Sequence, residues 1–403
     1  MNSTDRATWG ALRNSFPGAL FGCLLLLLVG CGKTPTYPVH GELLGEEIRT
    51  TVDSEIAQYY LERFLPGQRG NPIYDQRIDE LYERFKPCLP TREELQDISA
   101  SFSVDFAALF FADRLWAIPG NRRLQQTFER FLAEGRAGDS DLQPHFASYS
   151  ILFVPGWDYV DHGHETGADF ASPRRLVTNL GIENDLVPLP SQGSVEENAS
   201  VLSREILARR ESGKRIILVG ASSAGPAVHL SLGEQLDRAQ RRDVKAWINL
   251  GGLLQGTPLI DFAYGWPQRV LFYIGLWVHD VDEDALLSMS ANVSRARYKR
   301  LALDENLLVI NYVGLSLSGQ LSAYSQETYP WLATDGPNDG LTLLADALAP
   351  NSLTLVAVGS DHFLANDPRI DDKTVALTKT VIWYLENMTT SQPVQPCVPQ
   401  KEC

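Results

Sequence analysis

The sequence predicts an α/β protein whose mostly parallel central sheet is flanked by helices, with a helical N-terminal appendage and a lid-like insertion. Three observations predict it. Short apolar runs at 151–154, 215–219, 244–250, 307–313 and 353–358 alternate with segments of helical period, and strands joined by crossover helices lie parallel. Ahead of them, residues 46–134 show helical period alone. The strongest strand, Arg215-Ile216-Ile217-Leu218-Val219, runs straight into the small-residue stretch Gly220-Ala221-Ser222-Ser223-Ala224-Gly225.

The hydrophobic share of 44% and charged share of 21% in 403 residues call for a packed core. A net charge of −15 argues against a nucleic-acid partner, which requires a basic face. The first residues read as a targeting segment. Arg6 and Arg13 precede an apolar run at 21–29 that is too short to span a bilayer. The run ends in Leu28-Val29-Gly30-Cys31, which resembles a bacterial lipobox. That resemblance implies cleavage before Cys31, a lipid on its sulfur, and a body held at a membrane of the bacterial envelope, on its periplasmic or outer face. An ordinary signal peptide and an uncleaved anchor are the alternatives. Residues 1–30 carry Arg6, Arg13 and Asp5, so their removal deepens the net charge by one.

Residues 31–45, with Pro35 and Pro38, read as a tether. Residues 46–147 read as the helical region. Ile48, Val52, Ile56, Tyr59, Tyr60 and Phe64 recur near helical spacing until Pro66-Gly67, and Ile78, Leu81 and Phe85 mark a second helix ending at Pro87. Thr91 and Glu94 form a capping-box pattern, and helical period returns over 102–116 and 125–132. Residues 148–388 read as the α/β body, with a weaker strand at 185–189, an amphipathic helix over 195–210 and a closing helix over 374–387. Residues 389–403 form a tail bracketed by Cys397 and Cys403. In an oxidising compartment these two suit a disulfide, with Cys88 to either as the alternative; Cys23 falls inside the targeting segment. No cysteine has metal-ligand spacing.

A strand, a tight turn of small residues and a helix together lift a serine hydroxyl above a sheet, which is what nucleophilic acyl transfer requires. The run Gly220 to Gly225 fits, with Ala227, Val228, Leu230 and Leu232 free to face the sheet from the following helix. In this stretch the chain resembles the α/β-hydrolase superfamily, bacterial lipases and esterases among them, and the resemblance covers roughly residues 148–388. It implies a Ser-Asp-His triad in that chain order. Two registers compete: Ser222 as nucleophile in Gly-x-Ser-x-Ala, or Ser223 in Ala-x-Ser-x-Gly. Two residues separate the apolar strand from Ser222, the spacing usual in the family, so Ser222 is preferred. Of seven histidines, His362 in Gly359-Ser360-Asp361-His362-Phe363 follows the last strand, where the family carries its base. Asn338-Asp339-Gly340-Leu341 resembles the family's acid turn, with Asp335 and Asp346 as other candidates. Pro155-Gly156-Trp157 occupies the place of the family's oxyanion loop, so the backbone N–H groups of Trp157 and of Ser223 are the expected oxyanion donors. A Gly-rich turn binding phosphate is the competing reading, but no Walker-type lysine follows.

Asp158, Asp161, His162, His164 and Glu165 crowd the next loop. His-x-His with carboxylates can bind a metal, but polar residues lining a mouth are the preferred reading, and no metal or cofactor is expected. Gly251 to Leu259 leads into residues 257–300, where Phe262, Tyr264, Trp266, Leu271, Phe272, Tyr273, Leu276 and Trp277 suggest either a lid or acyl-chain pocket, or simply the core of an insertion. The expectation is a membrane-tethered esterase or lipase-like enzyme acting on a small-molecule or lipid-like ester. A transacylase, thioesterase, polyester depolymerase or peptidase using the same triad, and a scaffold lipoprotein without chemistry, are the alternatives.

Overall fold

The computed structural model describes residues 37–86, 88–135, 141–265 and 282–387. The targeting segment, Cys31, Cys397, Cys403 and the aromatic stretch Trp266 to Trp277 lie outside the described residues. Cys88 is half-buried and forms no disulfide among them.

Six parallel strands make the central sheet: β3 (Tyr149–Val154), β4 (Glu183–Leu186), β5 (Arg215–Ala221), β6 (Val244–Leu250), β7 (Leu308–Leu315) and β8 (Leu353–Val358). Their spatial order is β4-β3-β5-β6-β7-β8. Every residue of β3 is buried, and only the ends of β5 are not, as expected of strands covered on both faces. Alternate residues divide between two cores. Ile151, Phe153, Ile217, Val219, Ile248 and Ile310 face one side with α5 (Pro119–Glu134), α6 (Ala171–Asn179) and α12 (Ile370–Asn387). Leu152, Val154, Ile216, Leu218, Trp247 and Val309 face the other with α7 (Val195–Arg209) and α8 (Ala224–Leu230). The predicted architecture, a parallel sheet flanked by helices, is therefore present.

The front of the chain departs from the sequence expectation. Residues 37–45, expected as tether, and 46–52, expected as helix, form an antiparallel hairpin of β1 (Tyr37–Leu43) and β2 (Glu46–Val52). Its turn is Leu44-Gly45, both at positive φ. Ile48 and Val52 are fully buried, as are Val39 and Leu43 nearly so. Residues four apart share a face in a strand as well as in a helix, so the apolar spacing satisfied both periods. The β-branched run Thr50-Thr51-Val52 favours the strand.

Helices follow from Ser54 onward: α1 (Glu55–Tyr59), α2 (Pro72–Arg84), α3 (Arg92–Ser101) and α4 (Val104–Ala117). Asn71 caps α2, and the Thr91–Glu94 box caps α3 reciprocally. This region is no detached appendage. Ile48, Tyr60, Phe106, Phe110 and Phe111 share one core with Val313, Leu315, Val356 and Val358 of β7 and β8. Within 257–300, α9 (Pro258–Ala263) and α10 (Ala291–Arg300) are described. The buried Arg297 of α10 bonds Glu196, Ser294 and the Ser288 carbonyl, so residues 288–300 pack into the body; the helix α11 (Ala323–Leu332) follows β7.

Candidate active site

β5 delivers Ser222 at its C-terminal end, and α8 begins two residues later. Ser222 has φ of 54°, a left-handed conformation that costs energy for any residue with a side chain. Its backbone is held there from three sides. Its N–H donates to the Leu250 carbonyl at 3.0 Å, and its carbonyl accepts from Gly225 and Leu253, each at 3.0 Å. Small neighbours are required. A Cβ on Gly225 would stand 2.7 Å from Gly252 Cα, and one on Gly220 would stand 3.2 Å from Val228 Cγ2.

The Oγ of Ser222 lies 3.0 Å from His362 Nε2, and His362 Nδ1 lies 2.9 Å from Asp339 Oδ2. The imidazole is 6% exposed and the Asp339 side chain fully buried. Asp339 is oriented by its own turn: its Oδ1 accepts from Leu341 N at 2.9 Å and Thr342 N at 2.8 Å, while Gly340 takes φ of 94°. One carboxylate oxygen is thus committed to the backbone, and the other is left for the histidine. Gly251, at positive φ, runs behind the pair, where a Cβ would stand 3.6 Å from His362 Nδ1.

The two serines differ in backbone conformation and in partner. Ser223 has helical φ at the start of α8, makes no side-chain cap bond and is 4% exposed. Only Ser222 takes the strained turn conformation that aims its hydroxyl at His362. Gly156 runs alongside, its Cβ position 3.5 Å from Ser222 Cβ. The N–H groups of Trp157 and Ser223 donate to no acceptor among the described residues. Asp158, at φ of 56°, follows Trp157 and is tied by its N–H to the Ser191 carbonyl at 2.8 Å, and by its carboxylate to His162 and Gln192.

The other candidates are placed elsewhere. Asp346 is buried between Arg92 and Arg295, at 3.4 and 2.9 Å; burial raises its carboxyl, with both arginines opposing. Asp335 is half-exposed before the acid turn. The hydrogen bond that the His162 ring donates to the Asp158 carboxylate raises His162, and no group of three metal-binding side chains occurs among the described residues. His40 pairs with Glu47 on the hairpin and His145 with Glu386. His229 is buried against Trp247 and Tyr298, and burial lowers it to about 4.

Sequence reasoning missed Asp361. Its carboxylate, 4% exposed as a residue, accepts from Ser322 N at 2.7 Å and Phe363 N at 2.9 Å. It therefore brackets the histidine loop to the cap of α11, whose Ser325 and Thr328 hydroxyls bond the carbonyls of Asp339 and Gly340. Its position beside His362 was the available signal.

No family model and no curated protein matches the chain. Solved structures do. A metagenomic carboxyl esterase superposes with a TM-score of 0.47 at 20% identity, over 60% of this chain and 76% of that one. The mature Bacillus licheniformis lipase BlEst2 gives 0.45 at 18%, over 60% and 93%. A soluble variant of Saccharomyces cerevisiae monoglyceride lipase gives 0.37 at 11%, over 60% and 88%.

Proposed function

We propose that the chain is a serine hydrolase that cleaves carboxylic esters through an acyl-enzyme. The observation that carries this reading is the continuous line from Ser222 Oγ through His362 to the buried Asp339, at 3.0 and 2.9 Å. His362 takes the Ser222 proton as Oγ attacks the acyl carbon. The Trp157 and Ser223 N–H groups, which have no other acceptor among the described residues, stabilise the charge that develops on the carbonyl oxygen. His362 then protonates the departing alcohol, and a water molecule repeats the sequence to release the acid. Asp339 holds the ring in the tautomer with the proton on Nδ1. No cofactor enters any step.

Labelling with a fluorophosphonate, followed by mapping of the adduct, tests the reading. The adduct falls on Ser222, and Ser222→Ala lowers nitrophenyl ester hydrolysis by about 10³-fold or more. An adduct on Ser223, or hydrolysis that survives Ser222→Ala within tenfold, overturns it. We also propose attachment to a bacterial envelope membrane through a lipid on Cys31, supported by the lipobox-like Leu28-Val29-Gly30-Cys31. Palmitate incorporation that persists in Cys31→Ser overturns that attachment.

A further inference from the structure

The triad divides a bound ester in two. The carbonyl oxygen belongs with the Trp157 and Ser223 N–H groups, which come from the β3 loop and the elbow. The leaving oxygen must come within hydrogen-bond reach of His362 Nε2 to be protonated. His362 follows β8, at the opposite edge of the sheet from β4. A side chain that touches the imidazole and also reaches solvent is therefore in a position to meet the alcohol half of the substrate.

Phe363 stands there. Its ring lies 5.7 Å from the imidazole, edge to face at 77°. Tyr324, on the first turn of α11, packs on Phe363 at 4.9 Å with the planes 35° apart. Tyr324 is 44% exposed and Phe363 half-buried, and neither belongs to any of the four apolar clusters. The pair contributes little to the core, yet it is held rigidly. The buried Asp361 carboxylate ties the Phe363 N–H to the Ser322 N–H, two residues before Tyr324. One exposed ring and one half-buried ring, tied together beside the imidazole, offer aromatic surface on which a third flat ring can stack at the spacing such rings prefer.

We propose that Tyr324 and Phe363 form the leaving-group subsite and select esters of alcohols that carry an aromatic ring. This rests on the serine-hydrolase reading above.

The test compares acetate esters of benzyl alcohol, cyclohexylmethanol and ethanol. All three pass through the same acetyl-enzyme, so differences in kcat/KM report acylation alone. Benzyl and cyclohexylmethyl groups match in bulk and differ in flatness. The wild type is expected to prefer benzyl over cyclohexylmethyl acetate by about three- to tenfold. Tyr324→Leu and Phe363→Leu, which keep apolar bulk and remove the ring, bring that ratio to about one, while Tyr324→Phe keeps it. A wild-type ratio at or below one overturns the subsite, as does a ratio unchanged in both Leu variants. If no Ser222-dependent hydrolysis of any of the three esters occurs, the esterase reading falls and the subsite with it. Ser222-dependent hydrolysis without ring preference overturns the subsite alone.

Discussion

The main-chain N–H of His362 donates to the carbonyl of Asp339 at 2.8 Å, so the two residues are joined by backbone as well as by side chains. The acid turn and the histidine loop are thus tied together at the main chain, and the imidazole swings away only by breaking its own bond to the Asp339 carboxylate.

Asp339→Asn tests what the carboxylate adds to that unit. The amide keeps an acceptor for Leu341 and Thr342 but offers His362 an N–H where it needs an acceptor. We expect kcat for a nitrophenyl ester to fall by about 10⁴-fold near neutral pH, with KM little changed. A loss below tenfold would show that Asp339 does not orient the base.

Asp361 should act through position. Asp361→Ala removes the acceptor of two part-buried N–H groups, at a cost of about 1–3 kcal/mol. Displacement of His362 should lower kcat by about 10- to 100-fold. Asp361→Asn retains one acceptor oxygen and should recover part of both, read by thermal melting and kcat side by side. Equal losses in the two variants would argue against the bracket.

Two buried groups outside the site set opposing pH dependences. Asp105 accepts from Asp53 N, Ser318 N, the Ser318 hydroxyl and Tyr329; burial, and then the Asp53 charge, raise it to about 7. Between its ordinary pKa of 3.8 and about 7 the unfolded chain has lost this proton and the folded one keeps it, so its contribution to stability falls as pH rises. His229 is lowered to about 4 by burial first and Arg297 second. Between about 4 and its ordinary 6.5 the unfolded chain holds the extra proton, so its contribution rises with pH. The two slopes oppose each other across pH 4–6.5. Relative to wild type, Asp105→Asn should steepen the loss of stability on acidification by up to about 1.4 kcal/mol per pH unit, and His229→Phe should change the slope in the other direction. Urea unfolding at pH 5, 6 and 7 reads both; slopes parallel to wild type would exclude these groups.

At the elbow, Gly225→Val should destabilise by about 1–3 kcal/mol, because the added Cβ meets Gly252 Cα at 2.7 Å and Asn249 Oδ1 at 2.9 Å. Differential scanning calorimetry checks this, and an unchanged Tm would mean that the β6 loop yields at no cost.

Much of this was legible in the sequence for a physical reason. Parallel strands buried on both faces read as unbroken apolar runs, so β3 and β5 to β8 stand out, as does the Thr91–Glu94 box. The hairpin was not legible, because Ile48 and Val52 fit two periods at once and Leu44 is an unusual residue for a left-handed turn. Spacing alone preferred Ser222 over Ser223 without separating them; the separation comes from backbone φ, which two adjacent serines do not advertise. The sequence showed Asp361 only as a neighbour of His362; its bracketing role was not legible because its partner, Ser322, lies 39 residues away.

The core shared by the front helices with β7 and β8 carries a consequence for how the chain is made. Phe106, Phe110 and Phe111 leave the ribosome some two hundred residues before Val313 and Val356, the strands that cover them. Until β7 and β8 are synthesised, that aromatic surface has only the part of its native cover that the front hairpin and helices supply, and unfinished chains are sticky at the open face. Maturation must therefore wait for the end of synthesis or depend on a holding chaperone. Cutting the gene near codon 147 should yield two insoluble halves, each exposing one side of the same core.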